Sequence, residues 1–260
     1  MGDANQLPRL GRRGFLAGVA GGLTAGAAAG YSTWQHAPEG WHTDRLPQGT
    51  KLSFAQNGED LILESLLGLL KLDKPTYLDV GAFHPTVGSN TYLFYRAGGR
   101  GVLVEPNPDL APHLRGVRPG DVLLTAGIGI DATPAADYYR MSVPQNNTFD
   151  KEQAERLDRD PGANCKIEQV VKMPLLNVNA VIAEHFGGKP PDLFSIDVEG
   201  LDLAILKTLD FARFRPPVFC VEHSQESKER AELLAFLGGH GYTVRGLTYP
   251  NSIFVDTKRM

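Results

Sequence analysis

The sequence predicts an α/β fold: a mostly parallel sheet closed by an antiparallel hairpin. Three observations lead there. Short apolar runs suited to buried strands alternate with helical stretches from residue 51 onward. Acidic residues and glycines recur at the carboxyl ends of those runs, where open α/β sheets bind their ligands. The chain closes with two β-rich runs, 242–248 and 252–255, separated by the turn signal Tyr249-Pro250-Asn251.

The elements follow in order. Residues 61–70 form an apolar helical stretch introduced by Asn57-Gly58-Glu59-Asp60, read as a cap with acids in the first turn. Residues 77–81 are the first strand and residues 90–97 a helix. Residues 101–105 are the second strand, a helix follows Pro108, and residues 122–126 are the third strand. Residues 131–174 break the rhythm with Tyr138-Tyr139, a polar Gln145-Asn146-Asn147-Thr148 turn and a charged segment over 150–160. They are expected to form an insertion or lid. Residues 193–197 and 217–222 are the fourth and fifth strands, each followed by a helix, over 201–209 and 228–237.

Residues 1–50 stand apart from this 51–260 body. Arg12-Arg13 precedes the uncharged Gly/Ala-rich segment 14–30, with small residues at Ala27-Ala28-Ala29. A basic start, an apolar middle and a small-residue site form the layout of a secretory signal. The Arg-Arg-x-Phe-Leu order resembles a twin-arginine export signal. Residues 1–30 are thus expected to be a signal or membrane tether, and 31–50 a polar linker. Four of the 26 basic and three of the 30 acidic residues precede residue 50, so the body is mildly acidic. No basic run tracks along it, which argues against a nucleic-acid partner. Cys165 and Cys220 fit no metal spacing, and Cys220, inside an apolar run, is expected to be buried and inert.

Four constellations carry chemistry. The first, Asp79-Val80-Gly81-Ala82, ends the first strand. Gly81 allows a close approach to the backbone, Asp79 suits an ammonium, and the helix opened by Ser89-Asn90-Thr91 offers amides to a carboxylate. The spacing is not the dinucleotide G-x-G-x-x-G. The second is Glu105 in Val104-Glu105-Pro106-Asn107-Pro108, placed to accept ribose hydroxyls, in a turn stiffened by its prolines. The third is Asp197-Val198-Glu199-Gly200 and the fourth Glu222-His223. Read singly, each is equally an ordinary turn or a capping acid. Together the third and fourth set three carboxylates and an imidazole on neighbouring strand ends, which structure alone rarely requires.

The run from Ser53-Phe54-Ala55-Gln56-Asn57-Gly58-Glu59-Asp60 through Asp79-Val80-Gly81-Ala82, Ser89-Asn90-Thr91-Tyr92 and Glu105-Pro106-Asn107-Pro108 to Ile196-Asp197-Val198-Glu199-Gly200 resembles the FkbM family of methyltransferases. The resemblance implies a Rossmann-like class I methyltransferase fold with a seven-stranded sheet. It implies S-adenosylmethionine as the cofactor, with Asp79, Gly81, Ala82, Asn90, Glu105 and Pro106 as the candidate binding residues. The Asp197-to-Gly200 run would border the acceptor. O-methylation of a small-molecule or carbohydrate hydroxyl is the expected reaction, with two versions open. In one, His223, Asp197 or Glu222 removes the hydroxyl proton. In the other, Asp197, Glu199 and Glu222 hold a divalent metal such as Mg²⁺. Gln56 and Glu59 are further candidates to reach the site, although a helix N-terminus accounts for Glu59 equally well.

The His84-Pro85 loop departs from the pattern by lacking a second early glycine, and His84 reads as a loop-packing residue. The leader is the other departure, because the donor is made in the cytoplasm whereas the leader suggests export or membrane association. Two other functions stay open: an exported non-catalytic binding protein on this scaffold, and a nicotinamide-dependent oxidoreductase.

Overall fold

The computed structural model describes residues 49–223 and 227–260. The chain divides into two units, residues 1–50 and 51–260. The expected leader (1–30) and all but the last two residues of the linker (31–50) lie outside the described residues.

In chain order the body opens with α1 (Glu59–Leu69), β1 (Thr76–Val80), α2 (Tyr92–Arg96), β2 (Arg100–Val104), α3 (Ala111–Val117) and β3 (Val122–Leu124). Next come β4 (Gly127–Ile128), β5 (Ala135–Met141), α4 (Lys151–Arg159), β6 (Ile167–Leu176) and α5 (Val178–His185). It finishes with β7 (Leu193–Ile196), α6 (Asp202–Thr208), β8 (Val218–Glu222), α7 (Ser227–Gly239), β9 (Tyr242–Leu247) and β10 (Asn251–Asp256).

Seven strands form one sheet in the order β3-β2-β1-β7-β8-β10-β9. The first five in that order are parallel, while β10 inserts antiparallel between β8 and β9, the closing hairpin expected from the sequence. The strands read as near-continuous apolar runs because both faces are covered. Leu78, Val80, Phe194 and Ile196 pack with α5, α6 and α7 on one face. Tyr77, Leu193, Cys220 and Ile253 pack with α1, α2 and α3 on the other. Both cysteines are buried free thiols.

Three elements depart from the sequence reading. Residues 131–174 contribute β5 and β6, which pair antiparallel, with β4 added parallel to β6 as a second, three-stranded sheet. Helix α5, over a stretch where no element was expected, is capped by Asn177, whose side chain accepts from the Ala180 amide. Helix α1 starts from Gly58 in a left-handed conformation with no side-chain cap. Its first-turn acids, Glu59 and Asp60, are buried. Asp60 takes hydrogen bonds from the Ser53 hydroxyl and the Phe54 amide, tying the incoming chain to the helix.

Candidate active site

From β1 the chain builds outward through β2 and β3, then returns to lay β7 and β8 on the other side of β1. The order reverses between β1 and β7, the point at which open α/β sheets bind ligands. Here the Asp197 amide donates to Val80 O at 2.9 Å and the Gly81 amide to Val104 O at 2.9 Å. Gly81 has φ +86°, and a Cβ there would lie 1.7 Å from the Asp197 carbonyl oxygen. The glycine expected to admit a ligand is thus required first by the neighbouring chain.

Side chains alternate along a strand. Asp79 therefore shares the α1 side with Tyr77, Glu105 with Leu103, Asp197 with Leu193, and Glu222 with Cys220. One row of acids crosses four adjacent strand ends, and it divides into two halves.

The β1–β2 half centres on Glu105, only 4% exposed. Its two oxygens accept from the Phe83 amide (2.9 Å) and the Asn107 amide (2.7 Å), which fixes the carboxylate plane. Burial pushes its pKa up to about 7 against the pull of those amides. Pro106 and Asn107 continue this turn, as Ala82 does the turn after β1. Asp79 accepts from the Thr91 hydroxyl and lies 4.0 Å from Arg118; burial raises its pKa, with Arg118 and Thr91 opposing. Its other oxygen has no hydrogen bond among the described residues.

The start of α2 differs from expectation. Ser89 Oγ accepts from the Thr91 and Tyr92 amides, so the amides thought open to a ligand carboxylate are capped within the chain. Asn90, also nominated for the cofactor, donates its side-chain amide to Ser195 Oγ at 3.2 Å and is buried as a strut to β7. His84 closes its own loop, its Nδ1 accepting from the Thr86 and Val87 amides, and it meets His113 edge-on. Burial lowers its pKa to about 4, with His113 adding to the shift.

The β7–β8 half gathers carboxylates. Oxygens of Asp197, Glu199 and Glu222 all lie within 4.8 Å of one another. Protonated Glu222 donates a hydrogen bond to Asp197, and burial raises both pKa values, that of Glu222 further through repulsion by Asp197. Glu199 is pushed up to about 8 by burial and by Asp197. Its backbone is left-handed (φ +58°), a conformation a non-glycine residue adopts only when its surroundings enforce it. Asp202 provides that enforcement by accepting from the Val198 and Gly200 amides at 3.1 and 3.2 Å. Residues expected to form a lid also reach Glu199. Gln153 on α4 donates to its carboxylate at 3.2 Å, and Thr148 to its carbonyl at 3.4 Å. His223 follows Glu222, half-buried, its amide donating to Pro250 O at 3.3 Å.

Glu59 joins this half from α1, accepting from Thr248 (2.6 Å) and Asn251 (3.2 Å) and acting electrostatically on Asp197. Gln56 is exposed. Sequence reasoning missed Arg118, Asp202 and Asn251. Of these only Asp202 carried a local signal, an acid two residues after Gly200 at a helix start.

Residues 79–244 match the methyltransferase FkbM domain family. No curated protein matches the chain. Among solved structures, the precorrin-6y C5,15-methyltransferase of Geobacter metallireducens is similar at 16% identity and TM-score 0.38, over 82% of this chain and 93% of that one. The 1,6-didemethyltoxoflavin-N1-methyltransferase of Burkholderia thailandensis, solved with 1,6-didemethyltoxoflavin and S-adenosylhomocysteine, is similar at 13% identity and TM-score 0.39, over 97% of this chain and 93% of that one.

Proposed function

This chain belongs to the FkbM methyltransferase family, and from that premise we propose that it moves a methyl group from S-adenosylmethionine to a hydroxyl oxygen of a sugar or secondary metabolite. The observation that carries the reading is the division of the switch point into two adjoining halves. One has acids suited to a nucleoside and an amino acid; the other has a cluster of carboxylates.

The residues present fit the donor. Glu105, held by two amides, keeps lone pairs for ribose hydroxyls, and the unbonded oxygen of Asp79 suits an ammonium. Gly81, Ala82 and Pro106 place backbone beside these acids. When bound, S-adenosylmethionine supplies an electrophilic methyl on a sulfonium. Protonated Glu222 bonds to Asp197 and leaves the other Asp197 oxygen as an acceptor, so the β7–β8 cluster suits a group that brings its own hydrogen. A hydroxyl does so, and it becomes a competent nucleophile once its proton is drawn off. Asp197, Glu222 and His223 are the groups placed to receive that proton. The nicotinamide alternative is disfavoured by the absence of the glycine pattern after β1.

Glu105→Ala should weaken S-adenosylhomocysteine binding by about 1.5–3 kcal/mol, the loss expected for hydrogen bonds to a charged group. Only the ionised form of Glu105 accepts from both ribose hydroxyls. With its pKa near about 7, affinity should therefore rise from about pH 6 to about pH 8 and then level. Calorimetry across that range tests both statements. A flat profile together with unchanged affinity in the variant would take Glu105 out of the donor site.

For the N-terminal segment we propose recognition by twin-arginine machinery. Replacing Arg12 and Arg13 together with lysine preserves charge, so only receptor reading is altered. The variant is expected to stay in the cytoplasm, and a distribution identical to wild type on fractionation refutes the signal.

A further inference from the structure

Among the described residues no cation pairs with the carboxylate cluster. None of the ion pairs among the described residues involves Glu59, Asp197, Glu199, Asp202 or Glu222. Buried acids in that position must take up protons or meet a cation.

Asn251 points to the cation. It is 2% exposed and opens β10, directly opposite Glu222 in the antiparallel register. Opposed residues of such a pair project to the same face, with Cβ atoms roughly 5 Å apart. Asn251 Nδ2 donates to Glu59 Oε1 at 3.2 Å, which fixes the amide, because turning it over would set two acceptors against each other. Its Oδ1 is then left buried with no donor among the described residues. Glu59 and the ionised carboxylates of the cluster are acceptors, so an orphaned acceptor beside Glu222 adds to the misfit instead of relieving it. A positive ion resolves the orphan and the cluster together.

We propose that Asp197, Glu199, Glu222 and the side-chain oxygen of Asn251 form a site for one hard divalent cation of the Mg²⁺, Mn²⁺ or Ca²⁺ class. An all-oxygen donor set selects this class over thiophilic metals. Across such an ion, opposite ligands stand roughly 4–5 Å apart, twice the metal–oxygen distance. That separation matches the 4.8 Å limit within which the three carboxylates already lie. Glu59 orients Asn251 from outside the ligand set, the role that second partners of metal ligands usually fill. Gln153 does the same for Glu199, so the lid and α1 brace the site from two directions. The assignment rests on the proposed function only in that the cation would face the acceptor hydroxyl.

The test uses the full chain stripped of metal. Mn²⁺ is titrated with the free ion followed by electron paramagnetic resonance, and S-adenosylhomocysteine affinity is measured in parallel by calorimetry. Wild type is expected to bind one Mn²⁺, displaced by Mg²⁺ or Ca²⁺. Glu199→Gln and Asn251→Ala should each weaken Mn²⁺ by about tenfold or more. Both variants should keep S-adenosylhomocysteine affinity within about twofold of wild type, which also certifies their fold. No Mn²⁺ binding at about 1 mM, in a protein that binds S-adenosylhomocysteine, overturns the site and leaves the methyltransferase reading intact. Mn²⁺ binding indifferent to the Glu199 and Asn251 changes overturns it as well. Single-site Mn²⁺ binding with the expected variant losses, in a protein that does not bind S-adenosylhomocysteine, supports the site and overturns the donor assignment.

Discussion

Asp197→Asn is expected to lower turnover by about 10²–10⁴-fold while leaving S-adenosylhomocysteine affinity near wild type. The substitution keeps the size and one acceptor oxygen of the side chain but removes its charge. It thereby removes its capacity to take a proton or to bind a cation strongly. The groups assigned to the donor, Glu105 and Asp79, lie on β2 and β1, and neither hydrogen-bonds to Asp197. Unfolding cannot mimic the result. Asp197 repels Glu199, Asp202 and Glu222, so neutralising it relieves strain, and the melting temperature should hold or rise. Steady-state rates on an authentic acceptor, beside calorimetry and a melting curve, separate these effects. Near wild-type turnover would reduce Asp197 to a structural acid of the β7 loop.

The reach of the sequence followed the range of the interactions. Strand ends were legible because parallel strands covered on both faces are written as local apolar runs, and four of the five close on an acid or a glycine. Asp79, Glu105, Asp197 and Glu222 could therefore be aligned across the sheet before any coordinate was known. Gly81 was found for an incomplete reason, since its φ and its closeness to the Asp197 carbonyl depend on a strand more than a hundred residues away in the chain. Asn251 read as part of a turn, and only the insertion of β10 beside β8 turns it toward Glu222. The second sheet escaped because the residues of β5 and β6 cover a small separate cluster around Tyr139, Met141 and Cys165, not the main core. Arg118 was the least visible. Next to Pro119-Gly120 it reads as a solvated residue at the end of a helix, yet its hydrogen-bond and ion-pair partners Ser89, Thr91 and Asp79 are all more than 25 residues away.

Arg118→Met should destabilise the body by about 3–5 kcal/mol, the cost of removing one partner from a buried charge network. Arg118 is 1% exposed. Its Nε donates to Asp121 at 2.8 Å, its Nη2 to the Thr91 hydroxyl at 2.9 Å, and it stands 4.0 Å from Asp79. Methionine fills much of the volume, so the loss reports charge and hydrogen bonds more than a cavity. Asp121 would retain the Tyr77 hydroxyl and the Gly101 amide but lose the one cation paired with it among the described residues. For a body of this size the melting temperature should fall by on the order of 10 °C. Asp121→Asn added to Arg118→Met should recover part of that fall, because it removes the unpaired charge while the amide oxygen still accepts from the Tyr77 hydroxyl and the Gly101 amide. The donor site should respond too. Asp79, already raised by burial, would rise further without Arg118, so S-adenosylhomocysteine affinity should drop near neutral pH and recover as the pH is raised. A melting temperature within about 2 °C of wild type would mean that Arg118 is a packed side chain whose charge the fold does not need.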